Sequence, residues 1–189
     1  TRLGQPKQLL PFRGKTLLRH ILDEAEGLVF SSRVLVLGAY AEEIRTATTP
    51  GLWTVVVNED WAVGMGGSLR LGVAQSLQQN PATEHLLFLL SDQPFVSEDF
   101  LNVLIQKHIK NQSPITASEY QGIMGVPALF SQAYFAELMA LSGDQGARKL
   151  FKAYETQVLR VPFEGGAFDI DTPADVERLR EVQDSHHSE

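Results

Sequence analysis

The sequence predicts a single α/β domain, a three-layer α/β/α sandwich with helices on both faces of a mostly parallel sheet. Three observations carry this prediction. Strand-like apolar runs alternate with segments of helical spacing along the chain. The run Leu86 to Leu90 is apolar at every position, as expected of a strand covered on both faces, and so belongs at the sheet's centre. Asp92 follows that run and Pro94 stops it, which puts a carboxylate at the strand's carboxyl end, the edge where open α/β sheets bind ligands.

Thr1 to Pro11 is polar and interrupted by proline, a loop with two cations, Arg2 and Lys7. A doubly wound domain begins on a strand, so a first strand and its turn are expected ahead of Thr1. Leu17, Leu18, Ile21, Leu22 and Ala25 have helical spacing, with Thr16 as N-cap and Gly27 as stop. A strand over 33–39, a short helix over 42–46 and a strand over 53–57 ending at Asn58 follow. The glycine-rich loop 61–68 then feeds a helix over 69–77, whose starting amides can hold an anion.

After the central strand, Ser97 caps a helix running to Ile109, and the acids Glu98 and Asp99 suit its positive end. Phe100, Leu104, Ile105, His108 and Ile109 form its apolar side. Two strands, 113–120 and 123–130, flank a Gln121-Gly122 turn and form a small β extension, with Gly125 and Pro127 spoiling its regularity. Helices over 134–141 and from 143 to 154, and a strand over 156–162, come next. Thr172, Pro173 and Asp175 mark the start of a last helix carrying Val176, Leu179 and Val182. Residues 1–182 thus form one domain and 183–189 a polar tail.

Composition narrows the function. A formal net charge of -7 argues against bulk nucleic-acid binding, which needs a basic field. With no cysteine, disulfides and thiolate metal sites are excluded. No apolar run reaches a membrane span, and a cytoplasmic protein without membrane contact is expected.

Taken singly, Asp92 reads as a turn residue, and Arg2 and Lys7 as solvated cations. Together with Asp169 and Asp171 they suggest more. Thr172 already serves as the helix cap, so the two acids exceed what a cap requires. Carboxylates from separate strands meeting at one sheet edge make an all-oxygen site of the kind magnesium prefers. Cations beside magnesium are the minimum equipment of phosphoryl or nucleotidyl transfer. Lookalikes fail: Gly14-Lys15-Thr16 lacks the earlier P-loop glycine, where Leu9 stands, and Gly64, Gly66 and Gly67 do not keep the dinucleotide spacing. The Asp169-Ile-Asp171 segment has Ala174 where a calcium loop needs glycine, and His20 and His108 lie on apolar helix faces.

Residues 1–10, Gly64-Met-Gly-Gly-Ser-Leu69, Ser91-Asp-Gln-Pro94, Gly125-Val-Pro127, Gly143-Asp-Gln-Gly-Ala-Arg148 and Asp169-Ile-Asp-Thr-Pro-Ala-Asp175 together resemble the MobA-like nucleotidyltransferases. More narrowly they are similar to the molybdenum cofactor cytidylyltransferase branch. The resemblance implies a Rossmann-like domain that takes CTP and a molybdopterin-type phosphate, forms the cytosine dinucleotide cofactor and releases pyrophosphate, with Mg2+ as cofactor and a recipient molybdoenzyme as partner. On the same resemblance, Arg2 and Lys7 neutralise the triphosphate, and Asp92 holds magnesium with Asp171 as the second acid, near Asp169. Gly66, Gly67 and Ser68 approach base and ribose, and Arg148, with Asp169, faces the pterin substrate. The family's first strand and its Ala-Gly-Gly-type loop are absent from this sequence. A guanylyltransferase, a sugar-phosphate nucleotidyltransferase and a non-catalytic carrier of a finished dinucleotide cofactor are the alternatives.

Overall fold

In a computed structural model the described residues are 4–168, 170 and 172–185. They form a layered α/β fold whose sheet is mixed. Each helix start named from the sequence closes locally. Thr16 Oγ1 accepts the Arg19 amide at 3.1 Å ahead of α1 (Leu17–Glu26), and Ser97 Oγ accepts the Phe100 amide at 3.2 Å ahead of α4 (Glu98–Lys110). Ahead of α7 (Pro173–Ser185), Thr172 and Asp175 form a reciprocal capping box: the Thr172 amide donates to Asp175 Oδ2 at 2.8 Å and the Asp175 amide to Thr172 Oγ1 at 3.3 Å. This helix takes in Gln183 to Ser185, which the sequence had suggested as tail.

The strands are β1 (Pro11–Phe12) and β2 (Lys15–Thr16), which make a small antiparallel hairpin around Arg13 and Gly14, and β3 (Val34–Leu37), parallel to β4 (Thr54–Val57). α2 (Ala41–Ala47) joins the latter pair. β5 (His85–Phe88), β6 (Ile115–Tyr120), β7 (Ile123–Ser131) and β8 (Val158–Pro162) form a four-stranded sheet in the order β5-β7-β6-β8. β6 and β8 run parallel; β7 is antiparallel to both neighbours.

This placement alters two expectations. The 115–131 hairpin is not simply an appendage, because its root supplies two interior strands. Beyond the register shift between Ala117 and Ser118 β6 still pairs with β8 as far as Glu119, so only the exposed tip around Gln121 and Gly122 extends outward, past the irregularity of Gly125 and the cis peptide before Pro127. The central run, for its part, has an antiparallel neighbour on one side and, among the described residues, none on the other. A run of apolar residues reports burial on both faces and is silent about the direction of the flanking strands.

Alternate β7 residues face opposite layers, as strand geometry requires. Phe130 packs with Val73, Leu138 and Phe151 under α3 (Met65–Gln79), α5 (Phe135–Met139) and α6 (Arg148–Ala153). Leu129 packs with Leu104 of α4 on the other face, where α1 adds Ile21 and Ala25 beside Leu101. Ile109, expected on the apolar side of α4, is 51% exposed, whereas Leu101 is fully buried. His108 is indeed packed, accepting or donating between Thr116 Oγ1 at 2.8 Å and His85 Nδ1 at 3.0 Å. Burial, then the neighbouring His85, lowers its pKa to about 4, so it is neutral at physiological pH.

Among the described residues β3 pairs with β4 alone and β5 with β7 alone. Their other edges border a cavity of about 500 Å³, covered by Leu18 and Ile21 of α1 and by Leu69 and Gly72 of α3. The open edges leave Val34 to Val36 and Leu86 to Phe88 only half-buried although every one is apolar. Pro6, Gln8 and Ser91 also line this cavity, which therefore reaches the edge on which Asp92 lies. No helix among the described residues is long and apolar enough to cross a membrane.

Candidate active site

Lys7 sits in a 3-10 turn, Lys7–Leu9, tied by the Leu9 amide to Pro6 O at 3.1 Å and the Leu10 amide to Lys7 O at 3.2 Å. Its Nζ lies 2.6 Å from Asp92 Oδ2. The two are far apart in sequence and neither side chain is more than about a fifth exposed, at 22% and 17%. Asp92 occupies the loop between β5 and α4, and the two residues that follow it are pinned. Gln93, 2% exposed, donates its Nε2 to Val126 O at 2.8 Å, and His20 Nε2 donates to Pro94 O at 2.9 Å. Sequence reasoning took His20 only as a packed residue. The carbonyl it meets belongs to the loop that carries Asp92, a contact across the fold with no signal in the spacing of α1. Burial above all lowers the His20 pKa, and Glu24 opposes this only partly.

The second Asp92 oxygen, Oδ1, is buried and has no hydrogen-bond partner among the described residues. A buried carboxylate oxygen left bare is costly unless a cation or a donor joins it. That suits a hard divalent ion. Among the described residues no three acidic or histidine side chains converge, so an ion at Asp92 would take fewer than three side-chain ligands from them and the rest from substrate phosphates and water, as magnesium does. Arg2, Asp169 and Asp171 lie outside the described residues.

Gly66, Gly67 and Ser68, expected in a loop, belong to the first turn of α3, which begins at Met65. The amide of Gly66 donates to Gly143 O at 2.9 Å, so one of the helix-start donors is already used within the protein. This contact joins the 64–66 segment to the 142–146 segment at very short range. A Cβ on Gly64 would lie 2.3 Å from the Gly143 carbonyl carbon, and one on Gly66 would lie 2.8 Å from the Ser142 nitrogen. Gly146 similarly abuts the Met65 sulfur. Arg148 stands exposed at the start of α6, just beyond this crossing, and does not line the cavity. Ser68 does line it, and its Oγ accepts from Asn58 Nδ2 at 3.0 Å. The structure therefore brings Lys7 to Asp92 and opens the same cavity to Ser68 and to their sequence neighbours Gln8 and Ser91.

Comparison with known proteins matches residues 1–158 to the MobA-like NTP transferase domain. The chain is 31% identical to nicotine blue oxidoreductase of Paenarthrobacter nicotinovorans, covering 94% of this chain and 90% of that protein. It is 29% identical to the purine catabolism protein PucB of Bacillus subtilis, covering 95% and 90%. A crystal structure of Rv0371C from Mycobacterium tuberculosis H37Rv in complex with manganese superposes with a TM-score of 0.80 at 34% identity, over 96% of this chain and 94% of that one.

Proposed function

The chain belongs to the MobA-like NTP transferase family, and from that premise we propose that it transfers CMP from CTP to the terminal phosphate of a molybdopterin-type acceptor, releasing pyrophosphate. The observation that carries this reading is the Asp92 carboxylate, held on one oxygen by Lys7 and buried on the other with no hydrogen-bond partner among the described residues, at the ligand-binding edge. The choice of CTP and of the pterin acceptor is supported by the resemblance of the motifs at 1–10, 91–94, 143–148 and 169–175 to the cytidylyltransferase branch.

The acceptor's phosphate oxygen attacks the α-phosphorus in line. The new P–O bond forms as the bond from the α-phosphorus to the bridging oxygen breaks, and that oxygen leaves with pyrophosphate. No side chain need become covalently attached; the protein's task is orientation and charge neutralisation. A divalent ion, Mg2+ or the Mn2+ seen with Rv0371C, would be held by Asp92, with Asp171 and Asp169 as further acids, and supplies positive charge to the triphosphate oxygens. Lys7 exchanges its Asp92 contact for the triphosphate and, with Arg2, draws negative charge toward the leaving group. Gly66, Gly67 and Ser68 border base and ribose, and Arg148 the acceptor.

Pyrophosphate release measured with CTP, GTP and ATP, each with Mg2+ or Mn2+, tests the proposal. CTP with a phosphorylated pterin should be the productive pair. Turnover with GTP would make the protein a guanylyltransferase, and turnover with sugar phosphates a different transferase on the same scaffold. Nucleotide binding without release would mark a carrier. Reduction or oxidation of nicotine blue without any pyrophosphate would place it beside its oxidoreductase relative instead.

The slot between β3 and β5 fits the strand expected ahead of Thr1, which would leave to the ligand the end of the cavity beyond the strand carboxyl ends, at Gln8, Ser68 and Ser91. Such a strand, entering Gly4 at the cavity's Pro6 end and followed by α1 and β3, would make a right-handed crossover and join the two sheets into one. Hydrogen exchange checks this on a chain extended through its natural upstream residues. Amides along β3 and β5 should exchange at least roughly tenfold more slowly than in a chain starting at Thr1. Equal exchange in the two would leave the slot to another occupant.

A further inference from the structure

Asn58 ends β4 at the binding edge and is buried, at 8% exposure. Its amide is oriented without ambiguity. The Asp60 backbone N–H donates to one atom of the side-chain amide at 3.1 Å, and a backbone N–H can only donate, so that atom is the oxygen Oδ1. The other atom, Nδ2, must then be the donor in the 3.0 Å contact with Ser68 Oγ. Gly67 leaves room for this, since a Cβ there would stand 3.4 Å from Nδ2.

The consequence falls on Ser68. A hydroxyl has one proton and two lone pairs, and here one lone pair is occupied by Asn58. The proton finds no acceptor among the described residues, while the side chain lines the cavity that also reaches Gln8 and Ser91. The geometry points to Asn58 as a positioning residue that fixes Ser68 as a hydrogen-bond donor toward an acceptor atom on the nucleotide. This deepens, and rests on, the nucleotidyltransferase reading of the site. Asn58 itself need not touch the ligand. It selects, among the orientations open to a serine hydroxyl, those that present hydrogen to the cavity, and so favours a ligand oxygen or ring nitrogen with a lone pair at that point over a ligand donor.

Asn58→Asp tests it. The variant keeps an oxygen for the Asp60 amide and replaces the donor Nδ2 with an acceptor, which draws the Ser68 proton away from the cavity. Its KM for CTP should rise on the order of tenfold, the loss of one hydrogen bond with its acceptor left dry, with kcat little changed. Ser68→Ala should raise KM to a similar degree. The double variant should be no worse than either single one, because both changes remove one and the same contact. Melting temperatures separate this from a damaged fold, and Ser68→Ala still decides the matter if Asn58→Asp does not fold. Unchanged KM in Ser68→Ala, or effects that add in the double variant, would overturn the inference while leaving the transferase reading intact. If calorimetry finds that the unaltered full chain binds no nucleoside triphosphate, the reading of the site falls and the inference with it.

Discussion

Replacing Asp92 with alanine is expected to reduce pyrophosphate release on the order of 10²- to 10³-fold, the usual cost of losing one preorganised electrostatic group at a reacting phosphate. The expectation follows from what each oxygen does. Oδ2 holds Lys7 at 2.6 Å, and Oδ1 is buried with no hydrogen-bond partner among the described residues, a position that becomes favourable once a cation arrives. Asp92→Asn discriminates between the two roles. Asparagine can still accept from Lys7 through its carbonyl oxygen, but its neutral amide binds a hard divalent ion poorly. If orienting Lys7 were the whole contribution, Asn would restore most of the rate; if cation binding matters, Asn should fail nearly as badly as Ala, and the amount of Mn2+ or Mg2+ needed for half-maximal rate should rise. Undiminished release in Asp92→Ala would remove this residue from the chemistry altogether.

Gly64→Ala should be the most damaging single-methyl change in the protein outside its core. Gly64 has a φ of 129°, which an L side chain rarely adopts. Its missing Cβ would also fall 2.3 Å from the carbonyl carbon and oxygen of Gly143 and 2.6 Å from the Asp144 nitrogen. Those are backbone atoms and cannot rotate aside. The 64–66 and 142–146 segments must separate, breaking the Gly66 amide bond to Gly143 O and disturbing the first turn of α3, where Ser68 sits. Strain and clash together should cost roughly 2–4 kcal/mol. For a chain of this length that is a melting temperature lower by about 5–15 °C. Gly122→Ala is the control. It too has a positive φ, +74°, but a Cβ there meets nothing within 4 Å, so it should suffer conformational strain alone and lose about 1 kcal/mol. Should the two variants melt alike in a thermal scan, the close crossing is not a structural joint. Nucleotide KM should rise with Gly64→Ala and stay level with Gly122→Ala, since the latter lies on the outward part of the β6-β7 hairpin.

The elements read most accurately from the sequence are those whose determining contacts close within a few residues. Thr16, Ser97 and Thr172 each found the amide that their position in the chain announced. The positions of Lys7 and Asp92 were legible from motif resemblance and from the rule that strand ends carry ligands. Their direct pairing was not, because no local pattern links two residues on different loops. The start of α3 was misplaced for a related reason. Glycines at 64, 66 and 67 read as a loop, since glycine weakens an isolated helix, but Gly66 is buried against Ser142 and the tertiary contact outweighs the propensity.

By itself the sequence determined the layered α/β class, the helix boundaries set by caps and membership of a nucleotidyltransferase family; the Leu86 to Leu90 run, expected to be buried at the sheet's centre, is half-buried on what is, among the described residues, an end strand, with Leu90 exposed. Only the tertiary structure decided that β7 enters the sheet antiparallel beside β5, that His20 and Val126 hold the two residues after Asp92, and that Asn58 Nδ2 donates to Ser68 Oγ. The division has one physical origin. Periodicity and capping depend on neighbours along the chain, whereas strand order, ion pairing and hydroxyl orientation depend on partners that only compaction brings within hydrogen-bond distance.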